Sequence, residues 1–146
     1  MFCCPVSPRK DQVYIKRIEK VNPAELAALY QHVGWLESRD QQGLDWIPKL
    51  LSASLCCFGA FYRGRLVGFG RAISDGVSDA YIQDVMVQES FRGKGLGRKI
   101  VKAVLSEVRK REIAWIGLIA SPGTEAFYQH LGFSALNGHI PMLFKG

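Results

Sequence analysis

With 146 residues, of which 48% are hydrophobic and 22% charged, the chain is long enough to bury a core, and we predict one domain over residues 1–146. No apolar run approaches the roughly 18 to 20 residues that a membrane span needs, so a membrane partner is not expected. The net charge is +6, but eight basic residues fall between Arg92 and Arg111. This local excess fits a compact polyanionic ligand at least as well as a nucleic acid.

The N-terminus carries no apolar segment typical of a secretory signal, and residues 1–11 are interpreted as a frayed leader. The four cysteines form two adjacent pairs, Cys3-Cys4 and Cys56-Cys57. Adjacent cysteines do not easily chelate one zinc ion, and no Cys-x-x-Cys or His-x-x-x-His spacing accompanies them. We therefore predict no metal site, and reduced thiols in a cytoplasmic protein.

In chain order, the alternation of residues 13–19 predicts a first strand. A helix follows and ends at Gly34. Asn22 suits its N-cap, Pro23 its first position and Glu25 its third position. A second short helix carries Trp46. Two further strands, at residues 54–62 and 65–73, are joined by a tight hairpin at Arg63-Gly64, and another strand covers residues 80–87.

The second half of the chain begins with a glycine-rich loop and a helix. That helix has an apolar stripe formed by Ile100, Val101, Val104, Leu105 and Val108. The apolar run at residues 113–120 predicts a strand buried on both faces. A short helix opens at Ser121-Pro122 and closes at Gly132, and residues 140–145 predict a last strand. The order βααβββαβαβ predicts an α/β protein with a mixed sheet and helices on both sides.

The loop after residue 87 carries three glycines at alternate positions, Gly93, Gly95 and Gly97. Glycines let the backbone turn sharply and leave its N–H groups uncovered, and at a helix N-terminus those groups attract an anion. Arg92, Lys94, Arg98 and Lys99 place positive charge where an isolated helix prefers negative charge. A bound phosphate group would explain that local conflict.

Two better-known phosphate loops do not fit this segment. A P-loop requires Gly-Lys-Ser/Thr, and here Gly97 is followed by Arg98, Lys99 and Ile100. A dinucleotide-binding loop requires a third glycine, where this chain has Arg98. A glycine-rich turn with incidental basic residues remains the plain alternative to a phosphate site.

The loop resembles the Arg/Gln-x-x-Gly-x-Gly/Ala signature of the GNAT (GCN5-related) N-acetyltransferases. The Phe127-Tyr128 pair followed by Gly132-Phe133 is similar to the close of that family's last helix, and the resemblance covers nearly the whole chain. It implies a mostly antiparallel sheet of six or seven strands with about four helices, in which the fourth and fifth strands splay apart. It also implies acetyl-CoA as the co-substrate.

By this resemblance, the pantetheine arm would pair with the backbone of Val85, Met86 and Val87. An amide in this strand would polarise the thioester carbonyl. The pyrophosphate would be held by the amides of Arg92, Gly93, Lys94, Gly95, Leu96, Gly97 and Arg98. Many relatives carry an asparagine before the last helix; Ser121 stands near that place and is the substitute that we expect.

Tyr128 matches the family's usual general acid, although a tyrosine on an amphipathic helix is often simply part of the core. Asp84 is the best candidate for the base or for docking the amine, because a carboxylate among apolar strand residues needs a partner. A bound ammonium, a structural arginine or a backbone amide would each supply one. If the strand is regular, Ile82, Asp84 and Met86 share one face of the sheet. Glu37, Asp45 and Glu125 are weaker candidates.

The acceptor side is expected near Gln83, Asp84 and the early helical region with Trp35, Leu36 and Trp46. These tryptophans would stack on an aromatic amine or simply cap the core. The segment from Gln83 to Val87 with its loop is similar to glucosamine-6-phosphate N-acetyltransferases, whereas the C-terminal part is similar to arylalkylamine acetyltransferases. We therefore expect a small primary amine of one of these two types.

Three alternatives remain beside this hypothesis. The chain could acetylate protein lysines, bind CoA without catalysis, or bind nucleic acid through its basic helix. The last is disfavoured because that helix also carries Glu107 and is followed by Glu112, and no DNA-reading motif is present. We expect no nucleic-acid partner, and a monomer or a homodimer.

Overall fold

The computed structural model describes residues 11–36 and 43–146. The elements are, in chain order, β1 (Tyr14–Arg17), α1 (Pro23–His32), α2 (Trp46–Ala53), β2 (Cys56–Tyr62), β3 (Arg65–Ser74), β4 (Asp79–Val87), a short 3-10 turn (Glu89–Phe91), α3 (Leu96–Arg109), β5 (Trp115–Gly117) and α4 (Glu125–Gln129). The predicted α/β class and the first eight predicted elements are thereby confirmed.

The five strands lie in sequence order, β1-β2-β3-β4-β5. The first three pairings are antiparallel and β4–β5 is parallel, which gives the predicted mixed sheet. The β2–β3 connection turns through Arg63 (φ 49°) and Gly64 (φ 79°), as expected for a tight hairpin. Two positive φ angles in succession match the right-handed twist of the flanking strands.

Helices cover both faces of the sheet. One core cluster joins α1 and α2 to β3 and β4 through Leu26, Tyr30, Ile47, Phe69 and Met86. A second cluster joins α3 to β3 and β4 on the opposite face, through Ala72, Ala80, Ile82, Val101, Val104 and Val108. The predicted stripe of α3 is the buried one: four of its five members are fully buried.

The structure differs from the predictions in the last quarter of the chain. Residues 140–145 form no strand, and Ile140, Met142 and Phe144 are 81–92% exposed. A strand needs a neighbour to bond with, and Pro141 has no N–H to donate. Five strands are therefore described where six or seven were expected.

The run at residues 113–120 also forms less strand than its apolar character predicted. Only Trp115–Gly117 is a strand. Trp115 is 41% and Ile119 73% exposed, so this strand is not buried on both faces. An edge position explains both results, because β5 pairs only with β4 within the described residues.

Two other expectations concern the ends of elements. The last helix begins at Glu125 rather than at Ser121, because Ser121 accepts bonds from the Thr124 amide and hydroxyl in a turn that precedes the helix. Of the expected leader, residues 1–10 lie outside the described residues. Asp11 forms an ion pair with Arg63 on the hairpin, so this residue is held to the domain.

Candidate active site

The glycine loop ends in a helix start that has no cap of its own. Gly95 occupies the N-cap position of α3 with φ 76°, a left-handed conformation, and no side chain caps the helix. The first helical bond is donated by Lys99 to the Gly95 carbonyl. None of the described residues accepts a hydrogen bond from the amides of Gly95, Leu96, Gly97 or Arg98. These four N–H groups are available to an anion.

The basic residues beside this helix start make it electropositive. Arg92 Nε donates to the Val87 carbonyl over 3.0 Å, which ties the loop to the end of β4. Lys94 lies over the Phe91 ring. No carboxylate of the described residues pairs with Arg98 or Lys99, and the first turn of α3 contains no acidic residue. Charge and unpaired amides therefore favour the same anionic ligand.

The sheet opens beside the loop. β4 and β5 pair only between Asp79–Tyr81 and Trp115–Gly117. From residue 82 onward, β5 supplies no partner to β4, so the peptide groups on that side of Val85, Met86 and Val87 face a gap. This is the splay that the sequence resemblance implied, and an extended ligand arm can bond there in place of a strand.

A β-bulge lies in the middle of β4. Phe69 pairs with Met86 but Arg71 pairs with Gln83, so Asp84 and Val85 both oppose the single residue Gly70. Asp84 has a positive φ of 56°, which is uncommon for a residue with a side chain. The bulge changes which way the following side chains point.

The prediction that Ile82, Asp84 and Met86 share one face is therefore wrong. Ile82 packs in the α3 cluster, whereas Met86 packs in the α1 cluster. Asp84 contacts Tyr30 of α1 and so lies on the Met86 side. The extra residue of a bulge breaks the two-residue alternation on which the prediction was based.

Asp84 has two partners from within the protein. Tyr30 Oη donates to Asp84 Oδ2 over 2.6 Å and Arg71 Nε donates to the same oxygen over 2.5 Å. The side chains of Asp84 and Arg71 are 18% and 14% exposed. Burial, and then the bond to Asp84, raise the pKa of Tyr30 well above its usual value, so its hydroxyl stays a donor. The structural arginine that was one of three alternatives is present.

Tyr30 and Arg71 were missed by the sequence reasoning. Tyr30 falls within the first predicted helix and Arg71 within the predicted strand at residues 65–73, and neither was singled out as a site residue. The signal that could have found Arg71 is its place in the middle of β3, opposite the mid-strand carboxylate of β4. Two half-buried charges of opposite sign on neighbouring strands usually pair.

Tyr128 lies on α4 with its ring in an aromatic group. It packs at right angles to Phe127 and Phe133, with ring centroids 4.9 and 5.9 Å away. It contacts the same core cluster as Val85. No described residue bonds to its hydroxyl, and burial raises its pKa. Tyr128 is thus a protonated phenol that packs against the same core cluster as Val85, one of the two residues of the bulge.

α4 is held against the start of α3. A side chain at Gly97 would place its Cβ 3.3 Å from the Phe127 ring and 3.7 Å from Val87. Glycine at this position therefore allows α4, the glycine loop and the end of β4 to meet. Ser121, expected on the cofactor, lies in the turn before α4.

On the other side of the sheet, Trp35 and Trp46 stand around Tyr30. Their rings lie 6.5 and 5.2 Å from the Tyr30 ring, both edge-on, and Trp35 is 49% exposed. Gln83 accepts a bond from Arg71 at 3.4 Å. Asp45 and Glu125 form no bond to this group in the described structure, and Glu37 lies outside the described residues. Aromatic rings thus flank the carboxylate.

Two further findings concern metal ions and membranes. In the part of the chain that the structure describes, no three His, Cys, Asp or Glu side chains are grouped closely enough to hold a metal ion. None of its helices is long and apolar enough to cross a membrane.

The sequence profile of the acetyltransferase (GNAT) family matches residues 21–133. An uncharacterised N-acetyltransferase of Porphyra purpurea is 34% identical over 125 residues, which cover 83% of this chain and 70% of that protein. Serotonin N-acetyltransferase 2, chloroplastic, of Oryza sativa subsp. japonica is 41% identical over 71 residues, 49% of this chain and 36% of that protein.

Among solved structures, a GNAT-family acetyltransferase from Streptococcus pneumoniae superposes with a TM-score of 0.78. It is 27% identical, and the match covers 92% of this chain and 98% of that one. Fold, loop and relatives define an acyltransferase. The chain belongs to the GNAT family and is an N-acetyltransferase.

Proposed function

We propose that the protein transfers the acetyl group of acetyl-CoA to a primary amine of a small molecule. The observation that supports this most directly is the row of four unpaired amides at the start of α3, beside unpaired basic side chains. A pyrophosphate is the part of CoA that such a row fits. The gap between β4 and β5 lies next to it and suits an extended arm.

In this proposal, each part of the co-substrate has its own group of residues. Arg92, Gly93, Lys94, Gly95, Leu96, Gly97 and Arg98 would hold the pyrophosphate, and Val85, Met86 and Val87 would bond the arm through their peptide groups. Ser121 would contact the arm from the α4 side. When bound, acetyl-CoA supplies an activated acyl group; the protein places that group and the amine in contact.

Two side chains have chemical roles in this proposal. The amine nitrogen forms a bond to the thioester carbonyl carbon while the carbon–sulfur bond breaks. Tyr128 donates its proton to the departing sulfur, and the proton lost by the amine passes to water. Asp84 docks the amine through hydrogen bonding. We favour docking over general-base catalysis because Arg71 and Tyr30 already engage this carboxylate.

Of the two acceptor types, we propose an arylalkylamine. Exposed Trp35 provides a flat apolar surface beside Tyr30, whose hydroxyl bonds to Asp84, and an aromatic amine would use both the Trp35 ring and the carboxylate. The rice relative is named a serotonin N-acetyltransferase, which supports the same acceptor type. An amino sugar has no apolar ring to place there.

The compartment is part of the proposal as well. Cys56 and Cys57 are free and buried, as expected in a reducing compartment. The sequence favoured the cytoplasm, whereas the rice relative is named chloroplastic. We propose a plastid or the cytoplasm, and imaging of a tagged full-length protein in its own cells decides between them.

The experiment is an acetyl-CoA turnover assay over a panel of amines: tryptamine, glucosamine-6-phosphate, a lysine peptide and no amine. We expect tryptamine to be acetylated with the highest kcat/KM. Preference for the peptide would favour a protein acceptor. Thermal stabilisation by oligonucleotides but not by acetyl-CoA would contradict the proposal outright.

The Tyr128→Phe variant tests the acid. A positioned general acid typically contributes about 100-fold or more, so kcat should fall by at least that factor with little change in either KM. Since burial raises the Tyr128 pKa, deprotonation of Tyr128 should cause no alkaline fall of wild-type kcat below about pH 10, the usual tyrosine value. Tyr81→Phe, at an exposed tyrosine of β4, is the matched control and should retain full activity.

A further inference from the structure

Arg71 and Tyr30 reach the Asp84 carboxylate from two different elements, β3 and α1. Both bonds end on the same oxygen, Oδ2. No described residue donates a hydrogen bond to Oδ1. The carboxylate therefore has one oxygen that is fixed by the protein and another that can receive a further donor.

Apart from Asp84, the groups that contact Arg71 are neutral. Its Nη1 donates to Ser54 Oγ over 3.3 Å and its Nη2 to Gln83 Oε1 over 3.4 Å. Cys57 of β2 is close enough to interact with Arg71 and Asp84, and burial raises its pKa, so it remains a neutral thiol.

The remaining titratable group of this network is the Tyr30 hydroxyl on α1, whose pKa is also raised. Arg17, which likewise acts on the Cys57 thiol, is paired with Glu107 at 2.8 Å. The charges left at the bulge are those of Arg71 and Asp84, and they cancel.

This cancellation matters because only a neutral amine attacks a thioester. A primary alkylamine resembles lysine, with a pKa near 10.4, and is mostly an ammonium ion at neutral pH. An opposite charge within about 4–6 Å favours the charged form by roughly one to three pH units. An isolated carboxylate would therefore hold the acceptor in its unreactive form. A carboxylate that is paired with arginine accepts a hydrogen bond without that bias.

We propose that Arg71 positions and charge-balances Asp84, so that the acceptor amine docks on Oδ1 in its neutral, nucleophilic form. The proposal rests on the acetyl transfer proposed above and adds a role for a residue outside the reacting atoms. Tyr30 is the second support. The positive φ of Asp84 agrees with it, because a strained backbone persists where several contacts fix it.

The test measures kcat against pH, with acetyl-CoA and amine both saturating, for wild type, Arg71→Met and Arg71→Lys. In wild type, the acid limb should lie no higher than the solution pKa of the amine. Arg71→Met should move that limb to higher pH by about one unit or more, with kcat at pH 7 falling about tenfold. Arg71→Lys keeps the positive charge, so its acid limb should lie close to the wild-type position.

Two outcomes would overturn the proposal. If kcat of Arg71→Met falls equally at all pH values and the limb stays in place, Arg71 is only structural. In the double variant Arg71→Met/Asp84→Asn no carboxylate charge needs balancing, so the limb should return toward its wild-type position. A limb that stays at the Arg71→Met position would show that Arg71 does not act through Asp84.

Two single variants serve as controls. Arg63→Met removes an arginine of an exposed ion pair with Asp11 and should leave the pH profile unchanged. Tyr30→Phe keeps the ring contacts and the net charge; the amine KM should rise several-fold while the limb stays in place. A shift as large as that of Arg71→Met would mean that charge is not the cause.

If Arg71→Met does not fold, wild type alone still tests whether the acceptor amine docks in its neutral form. Two arylalkylamines of different basicity are compared, and the acid limb should follow the solution pKa of each. A limb at the same pH for both amines would show that a protein group is titrating, and the proposal would fail. Absence of any amine acetylation would refute the proposed function as a whole.

Discussion

The starts of helices α1 and α3 are built in opposite ways. In α1, Asn22 caps the helix by accepting a bond from the Ala24 amide at 3.0 Å, and Glu25 supplies negative charge in the first turn. In α3, Gly95 at the N-cap has no side chain. The third residue of α3 is Arg98, whereas the third residue of α1 is Glu25. The start of α1 has a side-chain cap and an acidic residue, and the start of α3 has neither.

The difference separates a helix start that the chain satisfies with its own side chains from one whose amides are left to a ligand. A capped and acid-rich start stabilises the fold, since side-chain oxygens and negative charge satisfy the free amides. An uncapped and basic start costs stability unless a ligand completes it. Variants of the two starts should therefore change different quantities, the free energy of unfolding at α1 and ligand affinity at α3.

The largest effect is expected for Gly95→Val. Valine is strained at φ 76°, so the backbone should turn away and disperse the row of amides. We expect acetyl-CoA to bind about 100-fold more weakly or not at all, as measured by calorimetry. Gly76→Val is the matched control, because Gly76 has φ 80° and equally open surroundings in a remote turn. Equal loss of affinity in both variants would contradict the assignment of the loop.

Arg98→Glu gives the first turn of α3 the negative charge that Glu25 gives the first turn of α1. Acetyl-CoA should bind about 10- to 100-fold more weakly, because a carboxylate would stand beside the pyrophosphate. The ligand-free protein should become more stable by about 0.3–1 kcal/mol, because negative charge suits a helix N-terminus. Chemical denaturation and calorimetry measure the two effects. If both quantities fall, Arg98 supports the fold and the comparison is wrong.

Asn22→Ala removes the cap of α1. The free energy of unfolding should fall by about 1 kcal/mol, the usual cost of losing such a cap. Acetyl-CoA affinity should be unchanged. A loss of affinity greater than the fraction of unfolded protein explains would show that α1 contributes to the cofactor site.

The smallest effect is expected for Glu25→Gln. This change removes the negative charge of the first turn of α1 and its 3.9 Å ion pair with Arg65, whose side chain is 82% exposed. Exposed pairs contribute little, so the free energy of unfolding should fall by only about 0.3–0.5 kcal/mol. Urea denaturation at low and high salt should show that the difference shrinks as salt rises. No salt dependence would contradict a charge effect.

The sequence predicted the elements whose signals are local. Asn22, Pro23 and Glu25 lie at the positions of α1 that their residue types indicate. The Arg63-Gly64 turn and the buried stripe of α3 also follow from neighbours in the chain. The loop at Gly93 and Gly95 belongs to this group, because a glycine turn, a helix start and charge occur within seven residues.

The sequence failed where an element depends on distant partners. Residues 140–145 have the composition of a strand, but no neighbouring strand takes them up in the described fold. The bulge at Asp84 is likewise a property of the β3–β4 pair, and it puts Ile82 on the face opposite Asp84 and Met86, with which it was predicted to share one. Neither feature leaves a mark in the segment itself.

The sequence by itself thus determined the class of protein and the place of the uncapped, basic helix start, because capping, turn formation and charge act over a few residues. Only the tertiary structure decided the chemistry at the bulge. Tyr30 lies 54 residues and Arg71 13 residues before Asp84 in the chain, and both bond to the same oxygen of the Asp84 carboxylate. A contact of that kind depends on strand register and helix docking, which the whole fold sets.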